Sequence, residues 1–230
     1  VFKALGARNV WALDASKFEG AQFVHDLNKP ISPDLKERFD LVYDGGTLEH
    51  VFNFPVALQN CMEMVRPGGR LILHTIANSW CGHGFYQFSP ELFYSALSEE
   101  NGFIVEQMVA HVVGPYGRWY EVSNPREIRA RIELLSLCPV QLAIRARRTR
   151  VVPVFAVSPH QSDYLPRWIG QPNAGARSGT QPVALAASRP TLAKVLPGLA
   201  RFLHVLKIGW AFWYNHSLRN RRNFRPVKKN

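Results

Sequence analysis

No acidic residue occurs after Asp163, although twelve lysines and arginines follow, from Arg167 to Lys229. The net charge of +11 therefore sits in the tail, since residues 1–163 balance 16 basic against 17 acidic side chains. That split excludes reading the whole chain as a nucleic-acid binder from its charge. Cysteine is scarce. Cys61, Cys81 and Cys138 are widely spaced and form no CxxC, which excludes a disulfide framework or zinc ribbon and points to a reducing, cytoplasmic setting. No signal peptide opens the chain, and no uncharged apolar run reaches the ~18 residues a spanning helix needs. GxGxG and GxGxxG are absent, which removes the fingerprint of a nicotinamide dehydrogenase. The eight histidines form no HxH or HxxxH pair near carboxylates, so no metal site is expected. Cys61 falls inside a helical pattern and reads as core rather than nucleophile.

What is present centres on Phe39 to Thr75, FDLVYDGGTLEHVFNFPVALQNCMEMVRPGGRLILHT. Phe39, Leu41 and Tyr43 alternate with Asp40, Val42 and Asp44, a pattern expected of a buried strand. Gly45 and Gly46 let the backbone turn where a side chain would obstruct a ligand. Apolar residues recur at helical spacing from Phe54 to Val65, and Pro67-Gly68-Gly69 is expected to stop that helix with a left-handed glycine cap. Leu71-Ile72-Leu73 reads as the next strand. A strand–helix–strand unit of this length crosses over right-handed and pairs in parallel. Asp44 to His50 then lies at the carboxyl end of a strand, where open α/β sheets bind ligands.

These residues resemble class I S-adenosylmethionine-dependent methyltransferases. The carriers are Phe39-Asp40-Leu41-Val42, Leu48-Glu49-His50-Val51 and Val65-Arg66-Pro67-Gly68-Gly69-Arg70-Leu71. The resemblance implies an α/β fold, a Rossmann-like doubly wound, mostly parallel sheet with an antiparallel last strand. It also implies S-adenosyl-L-methionine as cofactor, with Asp44, Gly45, Gly46 and Glu49 among the residues near it. Asn9–Leu13 and Ala21–Val24 read as short strands after a helix end at Phe2–Ala7. Asp14, followed by Ala15, matches the acidic residue that binds ribose, and Asp26 with Leu27 matches the adenine contact. Both acids also suit turn capping. The family's glycine-rich first motif is missing and the chain opens on Val1. It is expected to be truncated, lacking the first strand, with activity of this stretch open.

After Thr75 a loop rich in glycine and aromatics is expected to form part of the substrate wall, with His83, Tyr86 and Gln87 as substrate residues; the alternative is a cover for the core. It resembles a block in bacterial-type members of the family. Ser89-Pro90-Glu91 should open a helix. His50 is the candidate general base, because imidazole titrates near neutrality, and it matters only if the acceptor is a hydroxyl or amine. The acceptor class implied is a small molecule or glycan. Gly102–Val113 reads as the sixth strand, Pro125 to about Leu137 as a helix, and Val140–Arg147 as an antiparallel edge strand.

From Ile169 the composition turns to Gly, Pro, Ala and Ser, as in linkers. The organisation expected is a partial methyltransferase domain over 1–168, a linker over 169–192 and a basic helical C-terminal extension over 193–230. Val195, Leu199, Phe202, Leu203, Leu206, Trp210 and Trp213 fall on one helical stripe. With the basic end Arg219–Lys229, residues 195–229 suit peripheral contact with an anionic membrane, or packing back onto the domain or a second subunit with the basic end solvated; nucleic acid is the lesser expectation. The competing reading of the whole is a non-catalytic Rossmann-like scaffold docked through that helix.

Overall fold

The computed structural model describes residues 1–114, 117–162 and 197–227, and side chains of the last helix from Phe202 onward. The expected linker 169–192, Val195 and the lysines at 228 and 229 lie outside the described residues. Among the described residues there are eight strands: β1 (Leu13–Asp14), β2 (Phe23–Val24), β3 (Phe39–Asp44), β4 (Val65–Asn78), β5 (Phe103–Val112), β6 (Trp119–Val122), β7 (Val140–Arg148) and β8 (Phe224–Pro226). The α-helices among the described residues are α1 (Phe54–Met64), α2 (Pro90–Ala96), α3 (Pro125–Ile128) and α4 (Pro197–Asn215).

β1 and β2 form a two-stranded parallel sheet, and the other six strands are ordered β3-β4-β7-β5-β6-β8. β3 pairs parallel with β4, whereas β7 runs antiparallel to both β4 and β5. Strands β3, β4 and β5 thus point the same way, with the antiparallel strand inserted between two of them. The α/β class and the antiparallel strand follow the expectation. The edge position given to Val140–Arg147 is corrected: β7 is interior. Its inward residues Leu142, Ile144 and Ala146 are at most 1% exposed. On its other face Arg145 and Arg147, with Arg70 of β4, converge on Glu106 of β5 at 2.9–3.1 Å.

β3 is a sheet edge, and this corrects the expectation that it is buried. Leu41 and Tyr43 are 41% and 47% exposed, while Asp44 is 6% exposed. Phe2 meets Tyr43 edge-on at 5.2 Å, and Trp11 and Phe23 meet Phe39 at 5.8 and 6.1 Å, so the β1–β2 segment packs beside this strand. α1 ends at Met64, before the expected stop. Val65 is already extended, and Arg66–Gly69 forms an irregularity in the β3–β4 register. Gly68 has the left-handed φ of +82° there, and a Cβ on Gly69 would lie 2.8 Å from the Asp40 carbonyl.

Arg148 continues the inward alternation of β7 and is 2% exposed. Its Nη1 donates to the carbonyls of Val65 at 2.6 Å and Glu63 at 3.1 Å. The guanidinium therefore satisfies carbonyls at the C-terminal end of α1, where the helix dipole is negative. Burial pulls its pKa down, opposed by Glu37 and Glu63.

The helix expected from Pro125 to about Leu137 stops at Ile128, with Arg129 left-handed at φ +49°. Residues near the C-terminus take up its backbone groups. Arg222 donates to the Ile128 carbonyl, Asn223 to that of Arg131, and the Leu135 N–H donates to the carbonyl of His216. β8 then pairs antiparallel with β6, and Phe224 is fully buried. Within the basic end Arg219–Lys229, residues 224–226 are thus built into the sheet.

Phe224→Ala is expected to lower unfolding stability by about 3 kcal/mol, measured by urea denaturation. A change within about 0.5 kcal/mol would mean that the C-terminal segment is not part of the folded core.

Candidate functional site

β3 delivers Asp44 to the sheet end, and Gly46 follows with φ +105°. Asp44 Oδ1 accepts from the Thr47 N–H at 3.0 Å, while Oδ2 is buried without a hydrogen-bond partner. Burial pushes its carboxyl pKa up, the Thr47 amide opposes this, and the charge of Glu49 adds to the rise. A short 3₁₀ turn, Leu48–His50, buries Leu48 completely and leaves His50 exposed.

Glu49 is 1% exposed and connects three segments. The Thr75 hydroxyl, on β4, donates to Glu49 Oε2 at 2.8 Å. The Phe85 and Tyr86 N–H groups donate to its backbone carbonyl at 2.8 and 3.3 Å. Gly84 lies so close that a Cβ there would be 2.7 Å from that carbonyl, and a Cβ on Gly46 would be 3.3 Å from Oε1. The loop after β4 is therefore fixed onto Glu49, and this brings His83 beside His50 with ring centroids 5.1 Å apart. Ligand atoms of Glu49, His50 and His83 all lie within 4.8 Å of one another. Sequence spacing gave no hint of this group, because His50 and His83 sit on separate segments.

Within the loop, Gln87 accepts from the Trp80 N–H at 2.8 Å, and Trp80 meets His83 edge-on at 5.2 Å. The Tyr86 hydroxyl donates to the Phe52 carbonyl at 2.7 Å. Tyr86 and Gln87 thus hold the loop's shape; His83 and Gln87 are exposed and Tyr86 is half-buried. Phe88 belongs to the core at 4% exposure, whereas Phe52 and Phe85 form an exposed edge-to-face pair at 5.8 Å.

Asp14 ends β1, exposed, and accepts from the Ser16 N–H at 2.8 Å; Ala15 follows, also exposed. Asp26 accepts from the backbone and side chain of Asn28 at 3.0 and 2.9 Å, and the Asn28 side chain lowers its pKa most. Leu27 is half-buried against the core. Both acids make the turn contacts their local sequence suggests, with carboxylates still facing solvent. Sequence reading missed Asn60, a buried amide on the apolar face of α1. Its Oδ1 accepts from the Ile31 N–H at 2.7 Å, and its Nδ2 donates to the carbonyls of Leu27 and Lys29. A polar residue amid Ala57, Leu58, Cys61 and Met64 was the available signal. Cys61 is core, with its thiol pKa pushed up by burial.

Residues 7–73 match the family model described as a methyltransferase domain. Among solved structures, one similar chain is described in work on conversion of a disulfide bond into a thioacetal group during echinomycin biosynthesis. It is 15% identical, with 56% of this chain and 57% of that chain covered and a TM-score of 0.36. Another is a candidate methyltransferase from Bacillus halodurans, 14% identical, with 64% and 84% covered and a TM-score of 0.37. The chain spans little more than half the length of the first. No curated protein matches it in sequence. The methyltransferase resemblance read from LEHV and RPGG falls within residues 7–73, the segment that matches the methyltransferase-domain model.

Proposed function

We propose that the protein transfers a methyl group from S-adenosylmethionine to a small-molecule or glycan acceptor. The observation that carries this is the strand end Asp44-Gly45-Gly46, joined through buried Glu49 to a loop that faces it, within the segment matching a methyltransferase domain. Asp14 with Ala15 would hold the ribose, Asp26 and Leu27 the adenine, and the glycines would admit the methionine portion at close range. Methyl transfer from a sulfonium depends mainly on alignment and exclusion of water. The exposed Phe52–Phe85 pair would form an apolar rim for an acceptor, and His50, exposed beside it in sequence, would take a proton from a hydroxyl or amine. His83 completes the polar side of that rim.

One observation favours a second reading. α4 exposes Phe202, Leu203, Val205, Leu206, Ile208, Trp210 and Phe212, each at least 47% accessible, rather than folding them onto the domain. The helix is anchored at its end, where His216 pairs with Glu133 at 2.8 Å. Among the described residues no helix is long and apolar enough to cross a membrane. The apolar surface and surrounding basic charge suit the face of an anionic bilayer, so the helix would dock the domain peripherally, with or without catalysis. Co-sedimentation with phosphatidylserine-containing vesicles is expected to exceed that with phosphatidylcholine alone, and Trp210→Ala with Trp213→Ala should reduce it. Equal recovery with both vesicle types would remove this reading.

Calorimetric titration of S-adenosylhomocysteine into the full-length protein tests the methyl-transfer reading. Gly46→Val and Asp14→Ala are each expected to weaken binding by about tenfold or more. Unchanged affinity in both would remove the assignment.

Asp44 gives a separate prediction. Its carboxyl ionises less readily folded than unfolded, so stability rises as pH falls through its folded pKa, and the penalty is fully present above it. Asp44→Asn keeps an acceptor for the Thr47 amide and removes the buried charge. It should raise the melting temperature at pH 7, with the gain shrinking in acid, while weakening cofactor binding. Equal melting temperatures at pH 7 would contradict the burial cost.

A further inference from the structure

We infer that Glu49, His50 and His83 form a binding site for one divalent first-row transition cation. Their ligand atoms lie within 4.8 Å of one another; tetrahedral bonds of about 2.0–2.2 Å hold ligand atoms about 3.3–3.6 Å apart, so binding draws the two exposed imidazoles inward. Two imidazoles and one carboxylate are a donor set suited to zinc or its neighbours rather than to calcium or magnesium, which prefer oxygen. Three protein ligands would leave a coordination position open.

Glu49 and the loop bearing His83 are held in place by outer contacts of the kind that orient metal ligands. The Glu49 carboxylate is oriented by the Thr75 hydroxyl at 2.8 Å. The loop bearing His83 is fastened to the backbone carbonyl of Glu49 itself, by Phe85 and Tyr86 at 2.8 and 3.3 Å. Gly84 permits this approach, because any side chain there would strike that carbonyl. His83 is further held against Trp80. One further observation points to a positively charged occupant. Among the described residues, buried Asp44 Oδ2 has no hydrogen-bond partner. No basic side chain is ion-paired to either Asp44 or Glu49 among the described residues, so two neighbouring buried carboxyl groups are left without a balancing cation.

The use of the site rests on the methyl-transfer reading, but its existence does not. With the ion bound, His50 would serve as ligand. An acceptor hydroxyl on the open position would lose its proton to solvent more readily. Its oxygen would then bond to the methyl carbon as the carbon–sulfur bond breaks, with the electron pair passing to sulfur. The favoured acceptor atom is therefore oxygen.

The test is titration of zinc into tag-free, chelator-stripped protein, in competition with a chromophoric chelator. One ion per chain is expected to bind, and His50→Ala and His83→Ala should each weaken binding by about tenfold or more. His111→Ala, whose ring stacks on Trp119 and is not one of the three ligands, should bind as wild type does. His83 is exposed, so its replacement leaves the core intact, and circular dichroism verifies the fold. Absence of stoichiometric binding, or equal affinity in His83→Ala and wild type, overturns the site. S-adenosylhomocysteine binding, measured on the same samples without zinc, separates failure of this site from failure of the methyl-transfer reading.

Discussion

A carboxylate that is 1% exposed needs partners, and Glu49 finds them in segments that the chain must bring together. Its side chain accepts from Thr75 on β4, and its backbone carbonyl accepts from the loop that follows that strand. The strand end at Asp44–Gly46 and the wall at His83 are consequently parts of one unit. Release of the loop would forfeit its two hydrogen bonds to the Glu49 backbone carbonyl, about 0.5–1.5 kcal/mol each. Gly46 and Gly84 matter because each leaves room for this residue.

The rest of the fold supports that unit from behind. β7 lies between β4 and β5 and buries Leu142, Ile144 and Ala146 on its inward face. Arg148, next in the same alternation, holds the C-terminal carbonyls of α1. At the other end of α1, Asn53 bonds to Asn28, and Asn60 holds the segment around Leu27 to Ile31. The proposed adenine side is thereby positioned by a helix whose own end is fixed by a distant strand. The chain's final strand closes the far edge through Phe224.

Legibility in the sequence followed the range of the forces involved. β3, α1 and β4, with β5 and β7, could be read because alternation, helical spacing and turn residues are local. Exposure of β3 could not be read, because it depends on which strands flank it. The helix expected through Leu137 failed because Arg222, Asn223 and His216 take its backbone groups. β6 and β8 are too short to show a period. The inward arginine of β7 and the buried amide of α1 were visible as polar breaks in apolar patterns, yet their partners were not. At the site, the glycines and Glu49 were read from a motif. The meeting of His50 with His83 exists only because the loop folds onto Glu49.

The measurement that tests this account most directly is hydrogen–deuterium exchange with and without S-adenosylhomocysteine. Coupling through Glu49 predicts slowed exchange both at residues 44–50 and at residues 80–87 on ligand addition, although those segments are separated in sequence. Protection confined to one of them, or found only elsewhere, would contradict the claim that Glu49 joins them into a single site.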